Sequence, residues 1–181
     1  MTESGILGAL ADRERPVVAR FHRIGLTRAG GGFFRGVSVL GALPFWVALM
    51  AALPLVYGRP ALAVVATMLA ASGGGLVVDL ALKLATRRPR PAGGAGHGLG
   101  LMPLRHLSFP SSHAIHATAL AVVVLAHYPG TAPLVLPATG LVLLSRLALG
   151  VHFPSDVVAG AALGGLVAVG AEAAARFILG A

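Results

Sequence analysis

Residues 61–91 read ALAVVATMLAASGGGLVVDLALKLATRRPRP, a long apolar run that ends in a basic segment. A helix of roughly 20 apolar residues can cross the ~30 Å hydrocarbon core of a bilayer. Residues 61–84 reach that length, and their glycines are compatible with it because glycine is frequent in membrane helices. The run therefore predicts a transmembrane helix whose end carries a cluster of positive charge.

The composition of the whole chain agrees with a membrane protein of one domain. Of its 181 residues, 56% are hydrophobic and only 11% are charged, and the mean hydropathy is +0.85. Cysteine is absent, which excludes disulfides, thiolate metal sites and cysteine nucleophiles. The net charge of +8 indicates anionic partners. Lipid headgroups or phosphates fit better than nucleic acid, because the arginines alternate with apolar spans.

The apolar runs predict an all-α integral membrane helical bundle with about five transmembrane helices. The predicted spans are residues 37–57, 61–84, 111–127, 132–150 and 155–179. Residues 1–36 are predicted to be an arginine-rich arm with an amphipathic helix on the membrane surface, and residues 37–181 the membrane-embedded domain. Residues 92–107 are glycine-rich and are predicted to form a loop after the second span.

Three polar segments interrupt the apolar sequence, and each stands at the end of a predicted span. They are KLATRRPRP at residues 83–91, FPSSH at residues 109–113 and SRLALGVHFPSD at residues 145–156. In successive crossings, the end of the second span, the start of the third, the end of the fourth and the start of the fifth emerge on one face. The topology therefore predicts that the three segments meet there.

The spacing within these segments resembles the three-part signature of the type 2 phosphatidic acid phosphatases, also called lipid phosphate phosphatases. The matching residues are Lys83, Arg90 and Pro91, then the run Pro110, Ser111, Ser112 and His113, then Ser145, Arg146, His152 and Asp156. The resemblance covers residues 69–165 and implies a membrane-integral bacterial member. It departs from the family at Ser112, where glycine is usual; we expect a small residue there to retain activity.

The two histidines and the aspartate supply the groups for transfer of a phosphoryl group. Asp156 follows His152 by four residues, so its carboxylate can hold one ring nitrogen and leave the other free to attack phosphorus. We hypothesise a phosphohistidine at His152 that water hydrolyses. His113 begins the third span, where a helix N-terminus favours anions, and is placed to protonate the leaving group as a general acid.

Cationic and hydroxyl side chains of the same segments are predicted to hold the substrate phosphate. Arginine offers a planar fork of donors that matches phosphate oxygens. The predicted phosphate-binding residues are Lys83, Arg90, Ser111, Ser112 and Arg146. We expect no metal and no cofactor, since these groups suffice for the reaction. Asp79 lies one helical turn before Lys83 and is expected to pair with it.

The predicted function is hydrolysis of a lipid phosphate or diphosphate monoester by a membrane phosphatase. Candidate substrates are phosphatidate, phosphatidylglycerophosphate, and polyprenyl phosphates or diphosphates; membrane lipids are the other expected partners, and the oligomeric state is open. One alternative is a lipid phosphotransferase that uses the same histidine. Another is a non-catalytic membrane protein that binds anionic lipid, since basic residues beside a span commonly snorkel to the interface and a His–Asp pair can be structural.

We expect the protein to lie in the cell (inner) membrane of a bacterium. The distribution of arginines then predicts which side of that membrane the polar face is on. Both the arm and the loops of the polar face are basic, with Arg87, Arg88 and Arg105 in the loops. The positive-inside rule then places this face in the cytoplasm. The family resemblance implies the opposite for many bacterial relatives, with six spans and a catalytic face outside the cytoplasm. We predict the cytoplasmic side, because the arm is remote from the motifs and still basic.

Overall fold

The computed structural model describes residues 6–91, Leu104 and residues 106–179, and within this part of the chain the protein is a helical bundle without a β-strand. Its elements are α1 (Ile6–Gly25), α2 (Arg28–Leu40), α3 (Pro44–Tyr57), α4 (Ala61–Thr86), α5 (Ser112–His127), a 3-10 turn (Pro129–Thr131), α6 (Ala132–Ala148) and α7 (Pro154–Leu179). The all-α prediction is confirmed. Residues 92–103 and Arg105, most of the predicted glycine-rich loop, lie outside the described residues.

Within residues 6–91 and 106–179, three helices are long and apolar enough to cross a membrane: Ala61–Thr86, Pro129–Ala148 and Pro154–Ile178. A fourth crossing results if α2 and α3, which are bent by 46° at their junction, count as one span. Helix α5 is apolar but has only 16 residues, about 24 Å at 1.5 Å per residue. The chain is an integral membrane protein, and the count of five crossings stays a prediction.

The predicted first span, residues 37–57, is interrupted in the structure. Helix α2 ends at Leu40, and α3 starts at Pro44, which lies in the first turn of α3. Proline disfavours a helical conformation in the residue before it and is favoured in a first turn, so it separates the two helices. The predicted boundary between the arm and the membrane domain at residue 36 falls inside α2. That division of the chain stays a prediction, and α1 and α2 both pack against α6.

Helix α5 lies at the centre of the bundle and packs against α4, α6 and α7. Its small buried residues, such as Ala117 and Ala119, let the neighbouring helices approach. A Cβ at Gly160 of α7 would lie 2.8 Å from the Ser111 carbonyl oxygen, and one at Gly164 would overlap the Ile115 carbonyl oxygen. The absence of side chains at these two glycines permits close packing, which brings the first turns of α5 and α7 together.

The ends of four helices meet on one face, as the topology predicts. The backbone N–H of Ser111, before α5, donates to the carbonyl oxygen of Asp156 in α7 at 3.0 Å. After α4, the carbonyl oxygen of Arg88 accepts a bond of 2.7 Å from the N–H of Ser108. Segments that are far apart in the sequence are thus fixed to one another by main-chain hydrogen bonds.

Candidate active site

His152 lies in the short segment between α6 and α7, and not on a helix. Helix α7 begins two residues later at Pro154, one residue before the predicted start of the fifth span. Its ring is almost wholly buried, with 3% of the side chain exposed. Nδ1 lies 3.6 Å from Oδ2 of Asp156, which is an ion-pair distance and longer than a hydrogen bond. Asp156 therefore faces Nδ1 as the spacing predicts, but Nδ1 forms no hydrogen bond within the described residues, so the orienting role of Asp156 stays a prediction.

Arg90 faces the other ring nitrogen of His152. Its Nη1 lies 3.2 Å from Nε2 of His152 and 2.9 Å from the carbonyl oxygen of Val151. A guanidinium can only donate hydrogen bonds, so Nε2 is the acceptor and the ring proton belongs on Nδ1, toward Asp156. Burial lowers the pKa of His152 to about 4, with Arg90 acting in the same direction and the Asp156 carboxylate opposing. The imidazole is therefore neutral near pH 7, with the lone pair of Nε2 facing the Arg90 guanidinium.

Arg146 occupies the last turn of α6 and is 2% exposed. Its Nε and Nη2 donate to the hydroxyl of Ser145 at 3.0 and 2.8 Å. No carboxylate forms an ion pair with this guanidinium among residues 6–91 and 106–179. A buried cation without a countercharge is costly, typically several kcal/mol. An anion bound beside Arg146 would supply that countercharge.

His113 and Ser111 lie at the N-terminus of α5 and leave polar atoms without a partner. The Nε2 of His113 and the Oγ of Ser111 are buried and accept or donate no hydrogen bond within the described part of the chain. The electrostatic neighbours of His113 include Arg146, His152 and Arg90. Buried polar atoms without partners are uncommon in native proteins and often belong to ligand sites. Both groups therefore suit contacts with a phosphate ester.

Lys83 and Ser112 form a buried network with Asp79, and the Asp79–Lys83 pair expected from the sequence is confirmed. The ammonium of Lys83 pairs with Asp79 and donates to the Pro110 carbonyl oxygen at 3.1 Å and to Oγ of Ser112 at 2.8 Å. Ser112 in turn donates to Oδ2 of Asp79 at 2.8 Å. All three donors of Lys83 thus have protein partners, so its direct contact with phosphate stays a prediction.

Two residues of the polar face were missed by the sequence reasoning. Arg88 was predicted only to lie in a basic loop of the polar face, yet just 2% of its side chain is exposed, and it forms ion pairs with Asp156 at 2.6 Å and Glu14 at 3.1 Å. The sequence does not distinguish Arg88 from the three other basic residues in the same segment. Glu14 lies in the arm and was not considered, because nothing in its spacing relates it to a motif more than 70 residues away.

Comparison with known proteins relates the whole site to one family. A family model, the PAP2 superfamily, matches residues 60–176, which include every predicted site residue. The decaprenylphosphoryl-5-phosphoribose phosphatase of Mycolicibacterium smegmatis is 39% identical over 120 residues, 64% of this chain and 62% of that protein. The protein of the same name from Mycobacterium tuberculosis is 48% identical over 61 residues, 34% of this chain and 33% of that protein. The match thus covers less than two thirds of these relatives' length.

Two solved membrane proteins share the fold. A transmembrane PAP2 type phosphatidylglycerolphosphate phosphatase from Bacillus subtilis superposes with a TM-score of 0.70 and 24% identity, over 94% of this chain and 88% of that chain. LpxE from Aquifex aeolicus gives a TM-score of 0.67 and 23% identity, over 86% and 92% of the two chains. Together with the family match, the resemblance noted in the three polar segments is confirmed: the chain belongs to the PAP2 superfamily.

Proposed function

We propose that this chain is a membrane phosphatase that removes a terminal phosphate from a lipid-linked substrate. The observation that carries the proposal is the pair of arginines beside a neutral histidine: buried Arg146, without a carboxylate partner in the described residues, and half-buried Arg90 at Nε2 of His152. A phosphate dianion would meet both cations and the nucleophile at once. The tail of the substrate would lie in the bilayer against the apolar outer surface of the bundle.

The reaction would proceed in two displacements at phosphorus. In the first, Nε2 of His152 forms a bond to phosphorus as the bond to the leaving oxygen breaks, and protonated His113 gives its proton to that oxygen. In the second, His113 takes a proton from water, the hydroxide attacks phosphorus, and the P–N bond breaks to release inorganic phosphate. Asp156 stabilises the positive charge that His152 carries while it is phosphorylated, and Arg90 and Arg146 stabilise the equatorial oxygens.

The relatives narrow the substrate class that we propose. The mycobacterial proteins are named for a polyprenyl lipid that carries a phosphorylated sugar, and the Bacillus subtilis protein for a glycerophospholipid. We propose the former class, a phosphate monoester on a polyprenyl-linked sugar, because the sequence identity to the mycobacterial proteins is the higher. Transfer of the phosphoryl group to a second lipid, in place of water, is the competing outcome.

The test is phosphate release by the purified protein in detergent with a chelator present. Decaprenylphosphoryl-5-phosphoribose, phosphatidylglycerophosphate and phosphatidate would be compared at equal surface concentration, with His152→Ala and His113→Ala as variants. We expect the polyprenyl substrate to give the highest kcat/KM, no release by His152→Ala, and an acid-labile phosphoprotein that accumulates in His113→Ala. A protein that binds these lipids without turnover would refute the phosphatase proposal, and a phosphorylated acceptor lipid without free phosphate would favour the transferase.

We also propose that the catalytic face lies in the cytoplasm. The chain has no cysteine, so single cysteines report sidedness without background. Arg87 is exposed at the catalytic face and Arg59 is exposed at the opposite end of α4. In intact cells, an impermeant maleimide should label Arg59→Cys and leave Arg87→Cys unlabelled. The reverse pattern would place the catalytic face outside the cytoplasm.

A further inference from the structure

Arg88 links the candidate nucleophile to the N-terminal arm. Its Nη1 donates to Oδ1 of Asp156 at 2.6 Å and to the hydroxyl of Ser155 at 2.7 Å, while Nη2 donates to Oε2 of Glu14 at 3.1 Å. The guanidinium lies 4.2 Å from the centre of the Phe153 ring. Every one of these partners is either in the His152 segment, at the start of α7 or in α1. Arg88 is thus the junction of three parts of the fold.

The two carboxylate oxygens of Asp156 contact different partners, and Arg88 donates to one of them. Oδ2 accepts a 2.8 Å bond from the N–H of Phe153 and faces Nδ1 of His152. Oδ1 belongs to Arg88. Asp156 has no exposed surface, so water cannot replace a lost partner. The position of Arg88 therefore sets the orientation of the carboxylate that faces the candidate nucleophile.

Glu14 fixes Arg88 and the first turn of α7 together. Its Oε1 accepts from the N–H of Ser155 at 2.7 Å, and its Oε2 accepts from the Ser155 hydroxyl at 2.7 Å and from Arg88. The N–H groups of a first helical turn have no partner within the helix, and an anion is favoured there. Glu14 therefore caps α7 from another helix, and only 13% of its side chain is exposed.

The face of α1 that carries Glu14 packs on the same segment. Ala11 and Val18 lie three residues before and four residues after Glu14, so all three share one side of the helix. Ala11 and Val18 are buried in one cluster with Phe153. Farther along α1, the Nδ1 of His22 bonds to the carbonyl oxygen of Ala148 at 3.2 Å. The arm thus holds the segment between α6 and α7 along its length.

We propose that Glu14 is a positioning residue for catalysis: through Arg88 and Ser155 it orients Asp156 and thereby the attacking nitrogen of His152. The inference rests on the proposed phosphatase function, and it gives the N-terminal arm a catalytic task in addition to any contact with the membrane surface. Glu14 touches no reacting atom. Its loss should slow formation of the phosphohistidine and leave the binding of phosphate to Arg90 and Arg146 unchanged.

The test compares Glu14→Gln with Asp12→Asn, which makes the same change of charge on the same helix. Asp12 is matched because its side chain is 75% exposed and, among the residues that the structure describes, it forms an ion pair only with exposed Arg15. In the full-length protein in detergent we expect Glu14→Gln to lower kcat about tenfold, since small misplacements of catalytic groups cost up to ~100-fold. KM and the inhibition constant of inorganic phosphate should stay within twofold. Asp12→Asn should match the wild type in all three.

The outcomes separate this inference from the proposed function. An inactive wild type would refute the phosphatase proposal itself. An active wild type with Glu14→Gln at the same kcat, or with KM and phosphate inhibition changed as much as kcat, would refute the positioning role alone. If Glu14→Gln does not fold, Ser155→Ala decides, because it removes the hydroxyl between Glu14 and Arg88 and keeps every charge. A severalfold lower kcat supports the role, and an unchanged kcat refutes it.

Discussion

Replacement of Gly160 by alanine should separate the first turns of α5 and α7 and slow the reaction. A Cβ at this position would lie 2.8 Å from the carbonyl oxygen of Ser111 and 2.9 Å from Cβ of Ala114. Ordinary contact begins near 3.4 Å, so the helices must move apart by about 0.6 Å. The Ser111–Asp156 main-chain bond would then lengthen from 3.0 Å to about 3.6 Å and cease to be a hydrogen bond.

The magnitude follows from these two changes. Overpacking typically costs about 1–3 kcal/mol, and a lost hydrogen bond about 1 kcal/mol. Alanine is favoured over glycine within a helix by up to about 1 kcal/mol, so we expect Gly160→Ala to lose about 1–3 kcal/mol of stability overall. A misplacement of 1 Å at a catalytic centre can cost ~100-fold, so a shift of about 0.6 Å should lower kcat roughly tenfold.

Gly170→Ala is the matched control on the same helix, because a Cβ there meets no atom within 4 Å. It should keep the wild-type kcat and gain up to about 1 kcal/mol, the usual preference for alanine over glycine in a helix. The assays are phosphate release in detergent and the midpoint of thermal unfolding for both variants. Equal stability and equal kcat in Gly160→Ala and Gly170→Ala would refute the close approach of α5 and α7 at Gly160.

Three further predictions concern the site itself. The pKa of His152 falls from 6.5 to about 4 on folding, so the neutral ring contributes about 3 kcal/mol of stability that is complete above pH 6.5 and is lost as the pH falls toward 4. The thermal unfolding midpoint of His152→Asn should therefore fall less than that of the wild type between pH 6.5 and pH 4. The same fall in both proteins would contradict this prediction. Arg146→Lys should lower kcat/KM by tenfold or more, because lysine lacks the fork of donors, whereas Arg59→Lys should change nothing in the same phosphate-release assay. Ser112→Gly should keep activity within severalfold and lose about 1–2 kcal/mol in thermal unfolding, because Lys83 and Asp79 lose their shared hydroxyl; complete loss of phosphate release would contradict it.

The helices and the gathering of the polar segments could be predicted because both follow from local sequence. Predicted and observed bounds of α4 to α7 agree within two residues, since proline and glycine punctuate long apolar runs at Pro60, Pro129 and Pro154. The main error within the spans was the first one. Residues 37–57 were predicted as one continuous span, whereas α2 ends at Leu40 and Pro44 begins a new helix.

The contacts of the arm could not be predicted, and the reason is physical. Glu14 and Arg88 meet through tertiary packing across 74 residues, and neither periodicity nor a motif encodes such a pair. One acid among several arginines looks like an ordinary exposed helix face. The same holds for the network of Lys83. The hydroxyl of Ser112, which stands where the family usually has glycine, contacts Lys83 only because α4 and α5 pack together in the folded protein.

The countercharges of this site are divided unequally, and this has a consequence for turnover. Lys83 is matched by Asp79, and Arg88 is matched by Asp156 and Glu14. These buried ion pairs belong to the protein itself and neutralise most of the positive charge of the site. In the proposed reaction, a departing phosphate would therefore leave a weaker electrostatic trap than four unpaired cations would make, so the groups that rigidify the centre would also ease the release of inorganic phosphate.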